Sequence, residues 1–173
     1  MSAWAQEVVQ TITTEFSDLR DVAEITRVVL RLLMAGTLGA ILGYERERKG
    51  KAAGVRTYML VSLGSAVCVM TPQLAGVGNE DITRVMQGVI SGIGFLGAGA
   101  IIKRDRDGIS GLTTAAGIWM TAAIGMAAGM GREATAVLST LIALVTFALG
   151  SATFGWLSGR HPGKSVGTRD APR

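Results

Sequence analysis

Only three prolines, one cysteine and one histidine occur in this sequence of 173 residues, and each scarcity excludes something. Cys68 stands alone inside an apolar run, so no disulfide can form within the chain, and a small buried hydrophobe is its default role. His161 has no cysteine or second histidine near it, so a zinc ligand set is missing and no metal-binding residue is nominated. No nucleophile, base and orienting group occur as a set, which leaves no catalytic residue and no enzyme reading. A basic face interleaved with aromatics is also missing, which argues against nucleic acid as a partner. The literal G-x-G-x-x-G at Gly92, Gly94 and Gly97 lacks the strand before it and the acid about 20 residues on that a dinucleotide site needs, so no cofactor is expected. The most telling absence is that of carboxylates from the interior of every long apolar stretch. A magnesium or proton path normally offers them at depth, which leaves backbone carbonyls as the alternative means of carrying a cation.

What the chain does have is apolar sequence and glycine: 49% of residues are hydrophobic and 24 are glycine. Val85 to Ile102 combines five glycines with no charge. In water each interior glycine costs a helix about 1 kcal/mol relative to alanine, whereas in a bilayer it lets two backbones approach closely. The expected fold is therefore an all-α membrane protein, a compact bundle of five transmembrane helices over Ile25–Tyr44, Thr57–Ala75, Val85–Ile102, Ile109–Met130 and Ala134–Leu157. Three domains follow: an extracytoplasmic segment over 1–24, a membrane domain over 25–157 and a flexible basic tail over 158–173. Twelve Lys and Arg residues lie in the first and third inter-span loops and the tail, against Arg20, Arg84 and Arg132 on the other side. Positive short loops stay in the cytoplasm, so the amino end is expected outside and the carboxyl end inside. Residues 1–24 lack the basic start and continuous apolar stretch of a signal peptide. Their Trp4, Val8, Ile12, Phe16 and Leu19 recur at helical spacing, which suits an amphipathic helix on the outer membrane surface anchored by Trp4; a frayed end is the plainer alternative.

Small residues recur every four positions at Thr113, Gly117, Thr121, Gly125 and Gly129, and again at Ala35, Gly39 and Gly43 beside Gly36 and Ala40. Close helix packing is the default reading of both stripes, with a solute path as the alternative. The third span's Gly92, Gly94, Gly97 and Gly99 serve either packing or local unwinding of the helix around a cavity. Arg31 lies about two turns inside the first span and shares a face with Arg27 and Glu24. Either it is functional, as intramembrane charge is by default, or it snorkels to the outer interface and pairs with Glu24. Asp81, Arg84 and Gln87 share one face at the start of the third span, and with Arg31 they could close a polar network between the first and third spans. At the inner surface Glu45, Arg46, Glu47, Arg56 and the Lys103–Asp107 loop form a mixed cluster, for which a solvated rim attracted to anionic lipid is the simplest role.

Four segments carry a family resemblance: Gly39–Glu47 (GAILGYERE), Ala53–Leu63 (AGVRTYMLVSL), Asp81–Gly99 (DITRVMQGVISGIGFLGAG) and Gly111–Gly131 (GLTTAAGIWMTAAIGMAAGMG). In this order they resemble the MgtC/SapB family of bacterial inner-membrane proteins, over about Arg31 to Leu149. The resemblance implies a multi-pass protein of the cell inner membrane linked to magnesium homeostasis, virulence and host stress, acting on other membrane machinery such as the ATP synthase more than carrying magnesium itself. Its polar signature falls on Glu45, Arg46, Arg56, Thr57, Asp81, Arg84, Gln87, Ser91, Thr113, Thr114 and Trp119. The expected partners are the lipid bilayer and another membrane protein or complex, with a second copy of the chain as a further candidate. Several family members continue into a soluble carboxyl-terminal domain, whereas this sequence stops at Arg173.

Overall fold

The computed structural model describes residues 3–15, 21–104 and 108–158. Six helices run in chain order: α1 Ala3–Glu15, α2 Val22–Arg48, α3 Val55–Leu74, α4 Asn79–Gly99, α5 Leu112–Gly129 and α6 Glu133–Ser158. Between α4 and α5 lies an antiparallel hairpin, β1 Ile102–Arg104 with β2 Gly108–Ser110, in which Lys103 pairs with Ile109. The fold is thus helical apart from this hairpin, and α5 starts three residues later than the expected span. Ile102 and Ile109, read from the sequence as ends of two helices, are instead strand residues. Gly111 explains the boundary: it sits at φ 93 immediately before α5, a left-handed conformation that only glycine adopts freely.

Helices α2, α3 and α5 are long and apolar enough to cross a membrane, and α6 is apolar over Glu133–Leu149. The core is built where α3 is gripped from two sides. On the α2 side, a Cβ added at Gly39 would lie 2.7 Å from the Tyr58 carbonyl oxygen and 2.9 Å from Ser62 Cβ, and one at Gly43 would lie 2.6 Å from Val55 Cα. On the α5 side, a Cβ at Gly125 would lie 2.8 Å from Ser62 Cα, and one at Gly129 2.8 Å from Ala66 Cα. Both small-residue stripes therefore converge on the same stretch of α3, with Ser62 fully buried between them. Such separations leave no room for a side chain, so van der Waals contact between backbones is what holds the three helices together.

Helix α5 is the centre of the bundle, in contact with α2, α3, α4 and α6. Its buried Thr121 hydroxyl donates to the Gly117 carbonyl at 2.8 Å, and Thr140 of α6 does the same to Ala136 at 2.8 Å, so both are satisfied locally. Helix α4 is peripheral and packs on α5 and α3, with only Ile82 and Gly97 buried. It is also regular throughout, so of the two alternatives for Gly92, Gly94, Gly97 and Gly99 local unwinding is not seen. Where no water is at hand, an opened turn would strand backbone N–H and C=O groups, and the unbroken helix keeps them paired. Gly97 touches Ala115 of α5, with its added Cβ 3.6 Å from the Ala115 Cβ, while Gly92, Gly94 and Gly99 face open space.

The amino-terminal segment is helical over Ala3–Glu15, with Trp4, Val8 and Ile12 exposed. Phe16 and Leu19, as well as the tail from 159 onward, lie outside the described residues.

Candidate functional site

The inward stripe of α2 does not end in a small residue. Ala35, Gly39 and Gly43 are followed at the same helical face by Arg46, which is carried into the core and left 2% exposed. Its Nε donates to Glu45 Oε2 at 2.7 Å, and its guanidinium lies over the Phe147 ring of α6, 4.0 Å from the centroid. Glu45 Oε1 meets Lys49 Nζ at 2.6 Å, and Lys49 Nζ also donates to the Phe147 carbonyl at 3.2 Å. A buried guanidinium is tolerable because the adjacent carboxylate and the aromatic face replace part of its hydration.

Below this layer Tyr58 is fully buried, and its hydroxyl and Phe147 Cζ both abut Gly117, where a Cβ would lie 3.0 Å from Cζ and collide with the hydroxyl. Among the described residues neither the Tyr58 hydroxyl nor Arg46 Nη1 has a hydrogen-bond partner. Thr114, also buried, lies one turn before Gly117 on α5. Nearby, Glu47 Oε2 accepts from the Val55 backbone N–H at 2.9 Å and so caps the first turn of α3. The end of the bundle expected to be a solvated rim thus has a buried interior of Arg46, Tyr58, Thr114 and Phe147, drawn from four helices, with Glu45 partly buried and Lys49 exposed at its edge.

At the opposite end Arg31 ties three helices together. Its Nη1 donates to Gln73 Oε1 of α3 at 2.8 Å and to the Gly129 carbonyl of α5 at 3.0 Å. The Gly129 carbonyl lies in the last turn of α5, where helix carbonyls lack intrahelical donors and carry partial negative charge. Gly131, at φ 73, leaves the space that the Arg31 Nη2 occupies. Its hydrogen bonds run to α3 and α5, not to Glu24 as the snorkelling alternative had it, and not to α4. The expected network with Asp81, Arg84 and Gln87 does not form: α4 packs on α5 and α3, and those three side chains are exposed. Arg84 Nε and Asp81 Oδ1 are 3.8 Å apart, with side chains 82% and 66% exposed.

Of the remaining signature residues, Arg56, Ser91 and Thr113 are exposed and Thr57 is partly buried. Trp119 is half-exposed and lines a small apolar hollow of about 40 Å³ with Ile90, Ile93 and Met126 between α4 and α5. The structure brings together Glu45 and Arg46, buries Thr114 one turn from Gly117, and leaves Asp81, Arg84, Gln87 and Ser91 exposed on α4. Tyr58, Lys49, Phe147 and Gln73 were missed. Tyr58 adjoins Thr57 in the AGVRTYMLVSL motif, which was a usable signal, whereas Phe147 and Gln73 show no pattern that would single them out. Among the described residues no three His, Cys, Asp or Glu side chains gather as metal ligands.

Long apolar helices sealed by small residues, with Arg46 buried near one end and Arg31 partly buried near the other, define a helical membrane protein. More particularly, the chain belongs to the MgtC family, whose family model matches residues 32–154. It is similar to SrpB of Synechococcus elongatus, 44% identical over 128 residues that cover 67% of this chain and 70% of SrpB. It is similar to MgtC of Salmonella typhimurium strain LT2, 40% identical over 116 residues, 67% of this chain and 49% of MgtC. YhiD of Escherichia coli K12, named as a candidate magnesium transporter, is 38% identical over 125 residues, 68% of this chain and 57% of YhiD. No solved structure matches the chain. It therefore spans about half to two thirds of the length of most of these relatives, and somewhat more of SrpB.

Proposed function

We propose that this chain is a non-enzymatic protein of the bacterial inner membrane that modulates another membrane protein or complex during adaptation to low magnesium or host stress. In this reading α2 to α6 all cross the bilayer, the amino end with α1 lies on the outer surface, and the basic end faces the cytoplasm. The observation that carries it is the closed packing of α2 and α5 on α3 about Ser62, beside an unbroken α4. An apolar groove of about 460 Å³ is lined by Val29, Leu33, Gly36, Ala40, Met59 and Leu63 on the α2–α3 side. Its lining offers no ladder of oxygen ligands or charges for a cation. The Glu45–Arg46 pair, seated on the Phe147 ring, ties the end of α2 to α6 at the basic end.

The name of YhiD keeps magnesium transport as the rival reading. Purified protein in liposomes, assayed for magnesium and proton flux, separates the two. No flux above protein-free vesicles, together with co-purification of a defined membrane complex from cells grown in low magnesium, is the expected result. Saturable flux lost in Arg84→Ala would overturn it.

A further inference from the structure

The two faces of α4 differ in kind. One, through Ile82, Ile93 and Gly97, packs on the bundle. The other carries Arg84, Gln87, Gly88, Ser91 and Phe95, all exposed, with Phe95 86% accessible. Around Phe95 the surface is almost bare backbone, since an added Cβ at Gly88, Gly92, Gly94 or Gly99 meets nothing within 4 Å. On the five-span reading above, on which this inference rests, that face would meet acyl chains. Lipid tails cannot bond the Gln87 carboxamide, and bare backbone gives them little to pack against.

We propose that this face of α4 is the contact between two copies of the chain. Charge order is what selects a second copy. Copies share one orientation in the membrane, so a two-fold axis along its normal sets equal residues at equal depth. Arg84 and Asp81 are one turn apart and only loosely paired within the chain, at 3.8 Å. Across the axis, Arg84 of each copy reaches Asp81 of the other, giving two equivalent ion pairs. Gln87 both donates and accepts, so it pairs with its own symmetry mate. Phe95 of each copy settles on the flat surface that Ser91 and Gly92 offer on the other. A different protein would have to reproduce this acid, base and amide order, whereas a second copy has it by symmetry.

The test uses the full chain in native membranes with Cys68→Ser as background. Under mild oxidation Ser91→Cys is expected to yield a product of twice the chain's mass, at least tenfold above Leu141→Cys on the exposed side of α6. Asp81→Arg should reduce that product severalfold, and Asp81→Arg with Arg84→Asp should restore it. Gln87→Leu, which leaves the charges alone, should also lower it. Accumulation is measured for each variant, and the exposed positions are expected to leave it unchanged. Equal cross-linking at Ser91 and Leu141, or a Ser91 product containing a different protein, would overturn the proposal. Reaction of Ser91→Cys with a membrane-impermeant maleimide distinguishes the underlying reading: free labelling would overturn the spanning α4 itself, while a protected cysteine without cross-link would overturn the dimer alone.

Discussion

Helices α4 and α5 carry the same small-residue signature at helical spacing and use it in opposite ways. In α5, Gly117, Gly125 and Gly129 lie so close to α3 and to the Tyr58 and Phe147 side chains that a Cβ has no place. In α4, Gly88, Gly92, Gly94 and Gly99 face open space. Glycine spacing therefore reports that another backbone can come close, not that one has. The difference follows from position: α5 packs against four other helices, whereas α4 packs on α5 and α3 by one face.

The strongest way to break the comparison is Gly125→Leu. The obstacle is the Ser62 backbone, which no rotamer change can clear, so the expected destabilisation is about 3 kcal/mol or more, seen as loss of protein from the membrane fraction. Normal accumulation and detergent behaviour would mean that the α5 stripe faces lipid. Gly117→Val should be milder, because its obstacles are the movable Tyr58 and Phe147 side chains. A cost of about 1–3 kcal/mol is expected, read as a lowered melting temperature in detergent with accumulation retained. Arg31→Met tests the clasp at the far end of α5. It removes the bonds to Gln73 and the Gly129 carbonyl, yet also a buried Nε that has no partner among the described residues. The net loss should be about 1–2 kcal/mol, and a raised melting temperature would show that burying the guanidinium costs more than its bonds contribute. On the α4 side, Gly92→Leu should be neutral or stabilising by up to about 1 kcal/mol in monomer stability, since helix propensity improves and nothing is struck. A large loss there would erase the distinction between the two helices.

Much of the helix order was legible in the sequence because apolar runs bounded by charged loops must be about as long as the layer they cross. The stripes on α2 and α5 were legible as stripes. Their shared target on α3 was not, because α3 shows little periodicity of its own and the contact joins Gly39 and Gly125 through Ser62. The hairpin was hidden because Ile102 and Ile109 continue the apolar runs on either side of it, and only the left-handed Gly111 marks the break. Arg46 looked like one member of a rim charge cluster. Its place on the Ala35–Gly39–Gly43 face is visible in hindsight, but burial of an arginine there required Phe147, 101 positions away, to supply the surface it lies on.

By itself, the sequence determined the membrane class, the approximate helix limits, the family and the two faces able to receive a neighbouring backbone. These follow from composition and period, which are local quantities. Tertiary structure alone decided that α3 is the helix gripped on both sides, that Arg31 binds Gln73 and a terminal carbonyl of α5, that Arg46 enters the core, and that α4 stays unbroken with one face bare. Each of those depends on which distant segments meet, and small, featureless residues allow many meetings while specifying none.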